Sequence, residues 1–376
     1  MTQFQTSTTV HDIDAENVLA SMLAHLREHD LHALQKDNAW HIDYANTQIT
    51  LQARENSLQA TVQSVSPSSL YEGRMLVFYH IQEFSQCEAQ AIQWDGDKIE
   101  LQYPPSFRVV TVAAVSNIGP HLRRVRFRAD NLSRFESNDN IHCKLLLPQA
   151  GVENPEWPTL AANGVPQFPA GDKRLDMRTY TIRRINAAEG WFDIDFVLHA
   201  DAGPGSGWAG QAKPGQQIGM SGTGGRTAPA RRWMLLAGDE TALPAIARIG
   251  ESLPADTMGR VIIEVQSASD QITLDMPKGM TVQWLHRGNA VAGPTTLLAD
   301  AVQSCNIPAD DSRFVWVGAE FATAQSVRAW LRHTVGLGNK EQLVVAYWRH
   351  GMNETQMKKM PAKLASSKTE GQEAGS

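Results

Sequence analysis

Residues 178–184 read Arg-Thr-Tyr-Thr-Ile-Arg-Arg, and the first four side chains combine three kinds of ligand chemistry. Arg178 can pair bidentately with a pyrophosphate. The Tyr180 ring can lie against a flat heteroaromatic ring, and the Thr181 hydroxyl can donate to a ring nitrogen. At the end of a strand these contacts suit a flavin dinucleotide, with Tyr180 and Thr181 nearest the reacting ring. The alternative is an ordinary exposed strand with a half-buried tyrosine.

The predicted strands and helices that would position this motif change character along the chain. Between residues 106 and 228 short strands and turns dominate, with a proline- and glycine-rich loop at 148–172. The clearest strands of this stretch are 108–115, 122–129, 142–147, 178–185 and 191–198. Several short strands with such connections predict a closed antiparallel β-barrel.

From residue 232 onward the chain alternates apolar strands with helical segments. The continuous apolar strand 233–237 is followed by a helix that starts near Thr241, and another helix is predicted at 322–334. Further buried strands are predicted at 261–265, 281–285, 314–317 and 343–347. This alternation predicts an α/β layer built on a parallel sheet.

The first hundred residues predict a small α+β domain. Apolar residues recur at helical spacing over 13–34 and 69–84, and the alternating segments 40–44 and 48–51 are typical of strands. A Tyr-Pro-Pro sequence at 103–105 indicates a boundary. We therefore expect an acidic α+β domain at 1–104, a barrel at 105–230 and an α/β domain at 231–355. The polar tail, 356–376, is expected to be disordered.

Charge and composition exclude several classes of protein. Residues 1–104 carry 14 acidic and 5 basic residues, a net charge of −9, whereas the remainder carries 26 and 29, a net charge of +3. A charge of +3 does not favour nucleic acid as a partner, although a basic surface could attract an anionic ligand. A hydrophobic content of 42% is ordinary for a globular chain.

Targeting signals and cysteine motifs are also missing from the sequence. No apolar run reaches the roughly 20 residues of a membrane span, and residues 1–10 lack the basic and apolar parts of a signal peptide. Cys87, Cys143 and Cys305 are too far apart for a disulfide framework or a metal motif. We therefore expect no membrane association, a cytoplasmic location and three inert thiols.

Several separated strings resemble the siderophore-interacting proteins, a family of flavin-dependent ferric-siderophore reductases with ferredoxin-reductase architecture. They are 176–183, 196–199, 203–209, 214–215, 221–225, 238–245 and 347–351. Each string is weak alone, but their order and spacing over about 105–352 are specific. The resemblance implies an FAD-binding antiparallel β-barrel followed by an NAD(P)-binding α/β domain with a parallel sheet. Residues 10–100 resemble a small domain of unknown function that precedes some of these proteins.

The resemblance implies a set of FAD-binding residues in addition to Arg178, Tyr180 and Thr181. They are His199, Gly203, Ser206, Trp208, Ser221, Gly222, Thr223 and Gly224. The small residues form turn-prone stretches whose amides can approach a pyrophosphate closely. A structural histidine and a core tryptophan are the alternatives for His199 and Trp208. Gly205 stands where the family often has alanine, and this departure is not expected to abolish binding.

The resemblance also implies that residues 238–245 dock the nicotinamide nucleotide, NADPH or NADH. Asp239, Thr241, Ala242 and Pro244 are expected beside the nicotinamide and phosphates, where a strand meets a helix N-terminus. Read without the family, this stretch is a helix start capped by Thr241. The carboxylates of Asp239 and Glu240 would then repel a phosphate that they faced.

The choice between the two nucleotides depends on the end of the second strand of the α/β domain. Glu264 ends that strand and can hold a ribose 2′-hydroxyl, which favours NADH. Arg260, Arg287 or Ser267 could instead receive the 2′-phosphate of NADPH. Both nucleotides are used in the family, and the sequence leaves the two open.

The resemblance implies an electron path from nicotinamide through FAD to the Fe(III) of a ferric siderophore. Because siderophore chelates are often anionic, a basic rim is expected, with Lys173, Arg174, Arg184 and Lys213 as candidates. A solvated polar surface is the alternative for each of them. The iron arrives already chelated, so no metal ligands from the protein are predicted. The class of siderophore and the oligomeric state are not encoded in any recognisable pattern.

The N-terminal domain carries one further candidate site. His25, His29 and His32 share one face if the first helix continues through them, and His80 could join them around a divalent metal. A polar helix surface with incidental histidines is the alternative. A functional face of this kind would handle iron or haem, so the domain has a candidate ligand of its own.

Three functions follow from these observations. The first is an FAD-dependent NAD(P)H:ferric-siderophore reductase that releases Fe(II) in the cytoplasm. The second is a flavin-dependent NAD(P)H reductase that serves a protein or free-flavin acceptor. The third is a non-catalytic siderophore-binding protein with a vestigial flavin site, which the intact Arg178, Tyr180 and Thr181 disfavour.

Overall fold

The computed structural model describes residues 3–28, 31–44, 46–199, 203–225, 227–310 and 312–358. These residues form two compact units. The first unit holds the chain up to Phe107 together with Gln149–Leu175, and the second holds Arg108–Pro148 and the chain from Asp176 onward. The tail that the sequence predicts to be disordered lies outside the described residues from 359 on.

The helices and strands follow one another in chain order. The N-terminal elements are β1 (Phe4–His11), α1 (Ala15–Glu28), β2 (Ala33–Lys36), β3 (Ala39–Tyr44), β4 (Thr47–Arg54), β5 (Ser57–Ser64), α2 (Pro67–Ser85) and β6 (Asp95–Gly96). The central elements are β7 (Phe107–Asn117), β8 (Leu122–Arg128), β9 (His142–Pro148), β10 (Thr159–Leu160), β11 (Pro166–Gln167), β12 (Leu175–Thr181), β13 (Arg184–Asn186), β14 (Trp191–Val197), α3 (Pro204–Gln211) and β15 (Gln217–Gly224). The C-terminal elements are β16 (Trp233–Asp239), α4 (Leu243–Ser252), β17 (Met258–Val265), β18 (Gly279–His286), α5 (Leu297–Gln303), β19 (Arg313–Glu320), α6 (Phe321–Trp330), β20 (Gln342–Trp348) and α7 (Glu354–Lys358).

The first unit is a sheet of strand order β2-β3-β4-β5-β1-β6 with α1 and α2 packed on it. In β5 every second residue is buried, so one face of the sheet forms the core. Helix α2 begins where Ser66 accepts a hydrogen bond from the Ser69 amide, and Pro67 occupies the first turn. The predicted strands 40–44 and 48–51 and the predicted helix 69–84 are confirmed by β3, β4 and α2.

The prediction of a helix over 13–34 is wrong beyond residue 28. Helix α1 ends at Glu28, and the Leu31 amide donates to the Leu26 carbonyl. Leu34 lies in the edge strand β2 with 74% of its surface exposed. Its helical spacing from Leu26 is therefore coincidental, because an exposed leucine contributes nothing to a buried helical face.

Residues 149–175 pack with the N-terminal residues of the first unit. The hairpin of β10 and β11 places Leu160 and Val165 against the apolar core of that unit. At its turn the Asn163 side-chain amide donates to the Ala89 carbonyl at 3.2 Å. Arg74 of α2, only 5% exposed, donates from Nη2 to the Asn163 carbonyl at 3.3 Å. We call residues 149–175 the insertion.

Loss of the Arg74 contact is expected to loosen the insertion. In Arg74→Met the Asn163 carbonyl loses a charged donor, and we expect proteolysis within 149–175 to become about tenfold faster. The measurement is limited proteolysis of the full chain with mass spectrometry of the cleavage sites. Arg54→Met is the matched control, since Arg54 is exposed and its guanidinium donates to the equally local Gln52 side chain, two residues away. Equal cleavage rates in the two variants would contradict the prediction.

The second unit begins with a seven-stranded sheet of order β12-β9-β15-β7-β8-β14-β13. The pairings β7–β8, β8–β14, β13–β14 and β9–β15 are antiparallel. The two end strands, β12 and β13, are joined by Ile182 and Arg183, whose amides donate to Ile141 and Asp193. Both ends of the strand order therefore meet at this connection, and the sheet curls around one apolar core as the predicted barrel requires.

The unit continues with a five-stranded parallel sheet of order β18-β17-β16-β19-β20. Helix α4 contributes to the core on one face, and α5 and α6 contribute to the core on the other. The chain runs outward from β16 to β18 and then returns to β19 and β20. The strand order therefore reverses between β16 and β19, which is where ligands bind in open α/β sheets. The predicted α/β layer with a parallel sheet is confirmed.

Within the described ranges, none of the helices combines the length and the apolar character that crossing a membrane would demand.

Candidate flavin and nucleotide site

Strand β12 brings the motif of residues 178–181 to the barrel core. The Tyr180 ring lies 4.4 Å from the ring of Phe196 on β14, measured between centroids. Burial is the main reason why the pKa of Tyr180 is raised above its ordinary value, so its hydroxyl stays protonated. Thr181 is buried, and the Arg178 guanidinium reaches the Met177 carbonyl at 2.7 Å and the Thr355 hydroxyl at 3.5 Å.

Helix α3 packs beside Tyr180. A Cβ added at Gly205 would lie 2.0 Å from the Tyr180 hydroxyl, so alanine at 205 is incompatible with this position of the tyrosine. The expectation that glycine at 205 does not abolish flavin binding stays a prediction. Ser206 is buried, and its hydroxyl accepts from the His199 amide at 3.4 Å. Gly203 is the N-cap of α3, and a Cβ on it would meet open space.

Trp208 lies among aromatic rings of the barrel. Its centroid is 6.0 Å from that of Phe127 and 5.8 Å from that of Phe196. These contacts are those of a core tryptophan, and half-burial leaves part of the ring accessible. The His199 side chain is exposed at the end of β14. Contact of either side chain with a flavin stays a prediction.

Ser221–Gly224, the turn-prone stretch of the sequence, form the end of strand β15. The pairing with β9 passes from Ser221–Lys144 to Gly224–His142 and skips Gly222 and Thr223. Gly222 has a φ of +102°, which only glycine adopts readily. The amides of the skipped residues are thus outside the regular ladder, as a phosphate-approaching backbone requires.

The residues of this region fit a flavin dinucleotide. Open space lies where a Cβ would stand at Gly203 and at Gly224. The irregular backbone at Gly222 and Thr223 offers amide donors, and Arg178 offers a guanidinium. The Tyr180 hydroxyl remains a hydrogen-bond donor. Direct contact between these residues and a flavin remains a prediction, because each observation concerns the protein alone.

His142 of β9 connects the barrel to the last strand of the parallel sheet. Its Nε2 lies 2.7 Å from the Tyr347 hydroxyl, and the ring also bonds the backbone of Gly224. A neutral imidazole satisfies both contacts. Burial, with smaller contributions from Arg248 and Lys144, lowers the pKa of His142 from its ordinary 6.5 to about 4. Nothing in the sequence signals this pair, because 205 residues separate its members.

Protonation of His142 should lower the free energy of unfolding in mild acid. Its folded pKa lies below its unfolded pKa, so its stabilising contribution is complete above about pH 6.5 and is lost as the pH falls toward 4. We expect the difference in free energy of unfolding between the parent and His142→Gln to shrink by about 2 to 3 kcal/mol between pH 7 and pH 4.5. Urea unfolding of both proteins across this range measures it.

The quantity to follow is the difference in free energy of unfolding between the parent and His142→Gln. The stability of either protein alone would mislead, because Asp239 changes it with pH in the opposite direction. Burial first, and Glu240 second, raise the pKa of Asp239 from 3.8 to about 6. A raised carboxyl pKa lowers stability as the pH rises through that window. Comparing parent and variant cancels the Asp239 contribution, and a difference independent of pH would refute the role given to His142.

The short helix α7 places a carboxylate beside β12, the strand that carries residues 178–181. Glu354 accepts from the Thr179 amide at 2.8 Å and from the Thr179 hydroxyl at 2.6 Å. Lys144 of β9 lies 3.3 Å from the same carboxylate. Sequence analysis missed Lys144 and Glu354, since neither stands in a motif and only the fold brings them together.

A crevice opens at the carboxyl ends of β16 and β19, where the strand order reverses. Asp239 ends β16 and accepts from Trp348 Nε1 at 2.8 Å and from the Glu320 amide at 3.1 Å. The Thr241 amide and hydroxyl also donate to Asp239. The prediction that Thr241 caps α4 is wrong, because the N-cap residue is Ala242 and the Thr241 hydroxyl is taken by Asp239.

Ala242 and Pro244 are buried in the core under this crevice. A Cβ added at Gly238 would lie 2.5 Å from Ala242 Cβ and 2.5 Å from the Gly318 carbonyl oxygen. The side chains of Ala242 and Pro244 therefore pack beneath the crevice and do not line it. Contact with a nucleotide, which stays a prediction, would have to come from the backbone of this segment and from Thr241.

Glu264 at the end of β17 is only 4% exposed and already has partners. Both of its carboxylate oxygens accept from the Thr295 hydroxyl at 2.9 Å, and the backbone of Leu298 in α5 also bonds it. Burial is the main reason why its pKa is raised. Glu264 thus anchors the start of α5, and its predicted hold on a ribose stays a prediction.

Of the alternative phosphate ligands, Arg260 is far from the end of β17 and the Ser267 hydroxyl is already engaged. Arg260 lies four residues before Glu264 on β17, about 13 Å toward the other end of the strand. Ser267 is the N-cap of a short turn, where its hydroxyl bonds the Asp270 carboxylate at 2.9 Å. Arg287 is at the correct end of the sheet and donates from Nη1 to Glu240 at 2.8 Å.

The four cations expected around a siderophore are all exposed. Lys173 is paired with Glu156, and Arg184 lies 3.1 Å from Glu251. Lys173 and Arg174 belong to the first unit, whereas Arg184 and Lys213 belong to the second. A shared basic rim stays a prediction.

The proposed histidine face of the first unit is not formed as expected. His32 lies beyond the end of α1, and His29 lies outside the described residues. His25 instead approaches His80 of α2, with 5.3 Å between ring centroids. Among the residues with described positions, no three histidine, cysteine or acidic side chains gather as a metal site would require.

Comparisons with known proteins agree with this geometry. Residues 111–227 match a family model described as the siderophore-interacting FAD-binding domain, and residues 231–351 match one described as siderophore-interacting protein. Residues 7–95 match an uncharacterized protein family conserved in bacteria, DUF2218. The N-terminal resemblance to a domain of unknown function is therefore confirmed.

Three individual proteins illustrate the similarity. An uncharacterized protein of Mycobacterium tuberculosis is 33% identical over 268 residues, covering 68% of this chain and 94% of that protein. The ferric vibriobactin reductase ViuB of Vibrio cholerae is 31% identical over 272 residues, covering 69% of this chain and 94% of ViuB. The crystal structure of the siderophore-interacting protein SipS from Aeromonas hydrophila is 30% identical with a TM-score of 0.60, covering 70% of this chain and 99% of SipS.

The second unit joins an antiparallel sheet, matched by the FAD-binding family model, to a parallel-sheet domain, as the predicted architecture requires. The crevice at the reversal of strand order and the strand that carries Tyr180 both lie within it. The chain belongs to the siderophore-interacting protein family.

Proposed function

We propose that this chain is an FAD-dependent reductase of ferric siderophores that takes its electrons from a nicotinamide nucleotide. The observation that carries the proposal is the placement of Tyr180 and Thr181 at the barrel core, with Gly205 of α3 directly against the Tyr180 hydroxyl. Membership of a siderophore-interacting, FAD-binding family supports it. A bound flavin converts a two-electron donor into a source of single electrons.

Each side chain of the β12 motif would make a different contact with the flavin. Arg178 would neutralise a pyrophosphate, and the irregular backbone at Gly222 and Thr223 would donate amides to it. Tyr180 would orient the ring system from a position fixed by Phe196 and by the absence of a side chain at Gly205. Thr181 would donate to a ring nitrogen and so hold the ring in one register.

The donor would dock at the crevice between β16 and β19. Thr241 and the start of α4 stand where a nicotinamide nucleotide meets the carboxyl ends of a parallel sheet. The acceptor is chelated Fe(III), a substrate, which needs no protein ligand to the metal. Lys173, Arg174, Arg184 and Lys213 remain the proposed cations for an anionic chelate, and a cytoplasmic location remains a prediction.

The test is anaerobic reduction of a panel of ferric siderophores by the FAD-loaded full chain, with a ferrous-specific chelator reporting the product. We expect turnover with at least one siderophore class and a loss of about a hundredfold or more in Arg178→Ala, because a bidentate charged contact to the cofactor is removed. Arg231→Ala, which removes an exposed arginine of the same unit, is the control.

Two other outcomes would redirect the proposal. Reduction of the flavin without any ferrous product would favour a reductase that serves a protein or free-flavin acceptor. A protein that is purified colourless and stays colourless after FAD is added would favour a non-catalytic siderophore-binding protein. Either result would reject the ferric-siderophore reductase.

A further inference from the structure

We infer that the proposed nucleotide site accepts NADH and rejects NADPH, because Arg287, the arginine that the described residues place to meet a 2′-phosphate, is already neutralised by Glu240. The inference rests on the proposed function, since it requires that a nicotinamide nucleotide binds at the crevice. It concerns the end of β17, where the ribose of a bound dinucleotide lies in doubly wound sheets.

The first step is the charge at this end of the sheet. Arg287 follows β18 directly and donates from Nη1 to Glu240 at 2.8 Å, with its second terminal nitrogen on the other oxygen of the same carboxylate. Its side chain is only 6% exposed, and Glu264 Oε1 lies 4.0 Å away. One guanidinium is therefore shared by two carboxylates, and the local charge is negative.

The second step is the cost of placing a phosphate there. The 2′-phosphate of NADPH carries up to two negative charges and needs an arginine or lysine that is able to turn toward it. Here such a phosphate would have to displace Glu240 from a buried bidentate pair and would then face Glu264 and Asp239. The 2′-hydroxyl of NADH carries no charge and imposes no such displacement.

The third step is the position of the other cationic side chains. Arg260 is at the opposite end of β17, and its guanidinium contacts Cys305. His286 at the end of β18 bonds the Gln271 side chain at 2.8 Å. Arg349 follows β20, three strands or about 14 Å away, and lies over the Phe321 ring. Arg260 and Arg349 are thus distant from this end of β17, and the His286 side chain is already engaged.

The experiment compares two nucleotides and two nucleotide fragments on the FAD-loaded full chain. Stopped-flow reduction of the flavin by NADH and NADPH gives the catalytic preference, and calorimetry with ADP-ribose and its 2′-phosphate gives binding without any redox step. We expect NADH to be preferred by at least about tenfold in both measurements.

The decisive variant is Glu240→Gln, which keeps the hydrogen-bonding shape and removes the charge that neutralises Arg287. We expect the preference for NADH to fall by about tenfold, because a phosphate gains a cation. The double variant Glu240→Gln/Arg287→Met should lose that gain. Glu341→Gln is the matched control, since it breaks a similar pair with Arg313, 3.1 Å long, at the opposite end of the sheet.

The possible results separate the NADH preference from the proposed function. A parent protein that prefers NADPH, or a Glu240→Gln variant that folds normally with an unchanged preference, would overturn the inference alone. Reduction by NADH without ferrous product would leave the inference standing and reject the siderophore as acceptor. A protein that binds neither ADP-ribose nor its 2′-phosphate would overturn the inference together with the proposed nucleotide site.

Discussion

Arg248→Met should destabilise the second unit by at least about 3 kcal/mol. Arg248 projects from α4 and is only 5% exposed. Its guanidinium donates to the carbonyls of Ile182, Glu136 and Ser137 at 2.7 to 3.1 Å and to Asn138 Oδ1 at 3.0 Å. Methionine fills a similar volume but donates nothing, so buried carbonyl oxygens lose their partner.

Urea unfolding followed by tryptophan fluorescence measures this effect. Arg231→Met is the control, because Arg231 is exposed and, among the described residues, its guanidinium bonds just the neighbouring Ala230 carbonyl; its change should stay within about 0.5 kcal/mol. Since Arg248 joins α4 to the segment that follows Thr181, we also expect weaker flavin retention. Equal stability of Arg248→Met and Arg231→Met would show that water replaces the guanidinium without loss.

Gly238→Ala should damage the crevice between β16 and β19 more than a single methyl group normally does. The added Cβ would stand 2.5 Å from Ala242 Cβ and from the Gly318 carbonyl oxygen. Neither neighbour is the end of a flexible side chain, so the backbone of β16 or β19 must move. Overpacking of this kind costs about 1 to 3 kcal/mol or more, and the movement displaces Asp239 and Thr241.

The expected result is a lower free energy of unfolding together with weaker binding of ADP-ribose. Gly338→Ala is the matched control in the same domain, because its Cβ would meet only Glu341 Oε2 at an ordinary 3.5 Å. Thermal unfolding and calorimetry on both variants separate the two effects. A Gly238→Ala protein with parental stability and parental nucleotide binding would mean that the two strands separate without cost.

The sequence predicted the fold where local pattern and packing agree. The apolar run at 233–237 and the apolar strands that follow it lie in a sheet buried on both faces. Each strand is therefore recognisable from its own residues, without knowledge of the neighbouring strands. The helix over 13–34 was overextended because one exposed leucine happened to fit the spacing. Strand β1 is not predicted because two of its three buried residues, Thr6 and Thr8, carry little hydrophobic signal. Strand β5 does alternate Leu58, Ala60 and Val62 with polar residues, so the sequence held a period-2 signal that the prediction overlooked.

The candidate site was predictable only as far as its motifs are local. Arg178, Tyr180 and Thr181 stand together in one strand, and Asp239 and Thr241 stand together at one strand end. The pairing of His142 with Tyr347 and the approach of Glu354 to Thr179 depend on contacts between residues more than 170 positions apart. From the sequence alone Arg287 is a candidate phosphate ligand. Its pairing with Glu240, which neutralises the guanidinium, depends on the fold and could not be predicted.

The insertion changes what counts as an exchangeable part of this chain. Residues 149–175 lie inside the stretch that matches the FAD-binding family model, yet Leu160 and Val165 are partly buried against the apolar core of the N-terminal domain. A relative without that domain must shorten this loop or cover its apolar residues differently. Recombination between relatives would therefore succeed only when the N-terminal domain and the insertion are inherited together, and a chimaera cut at residue 104 would separate Arg74 from Asn163.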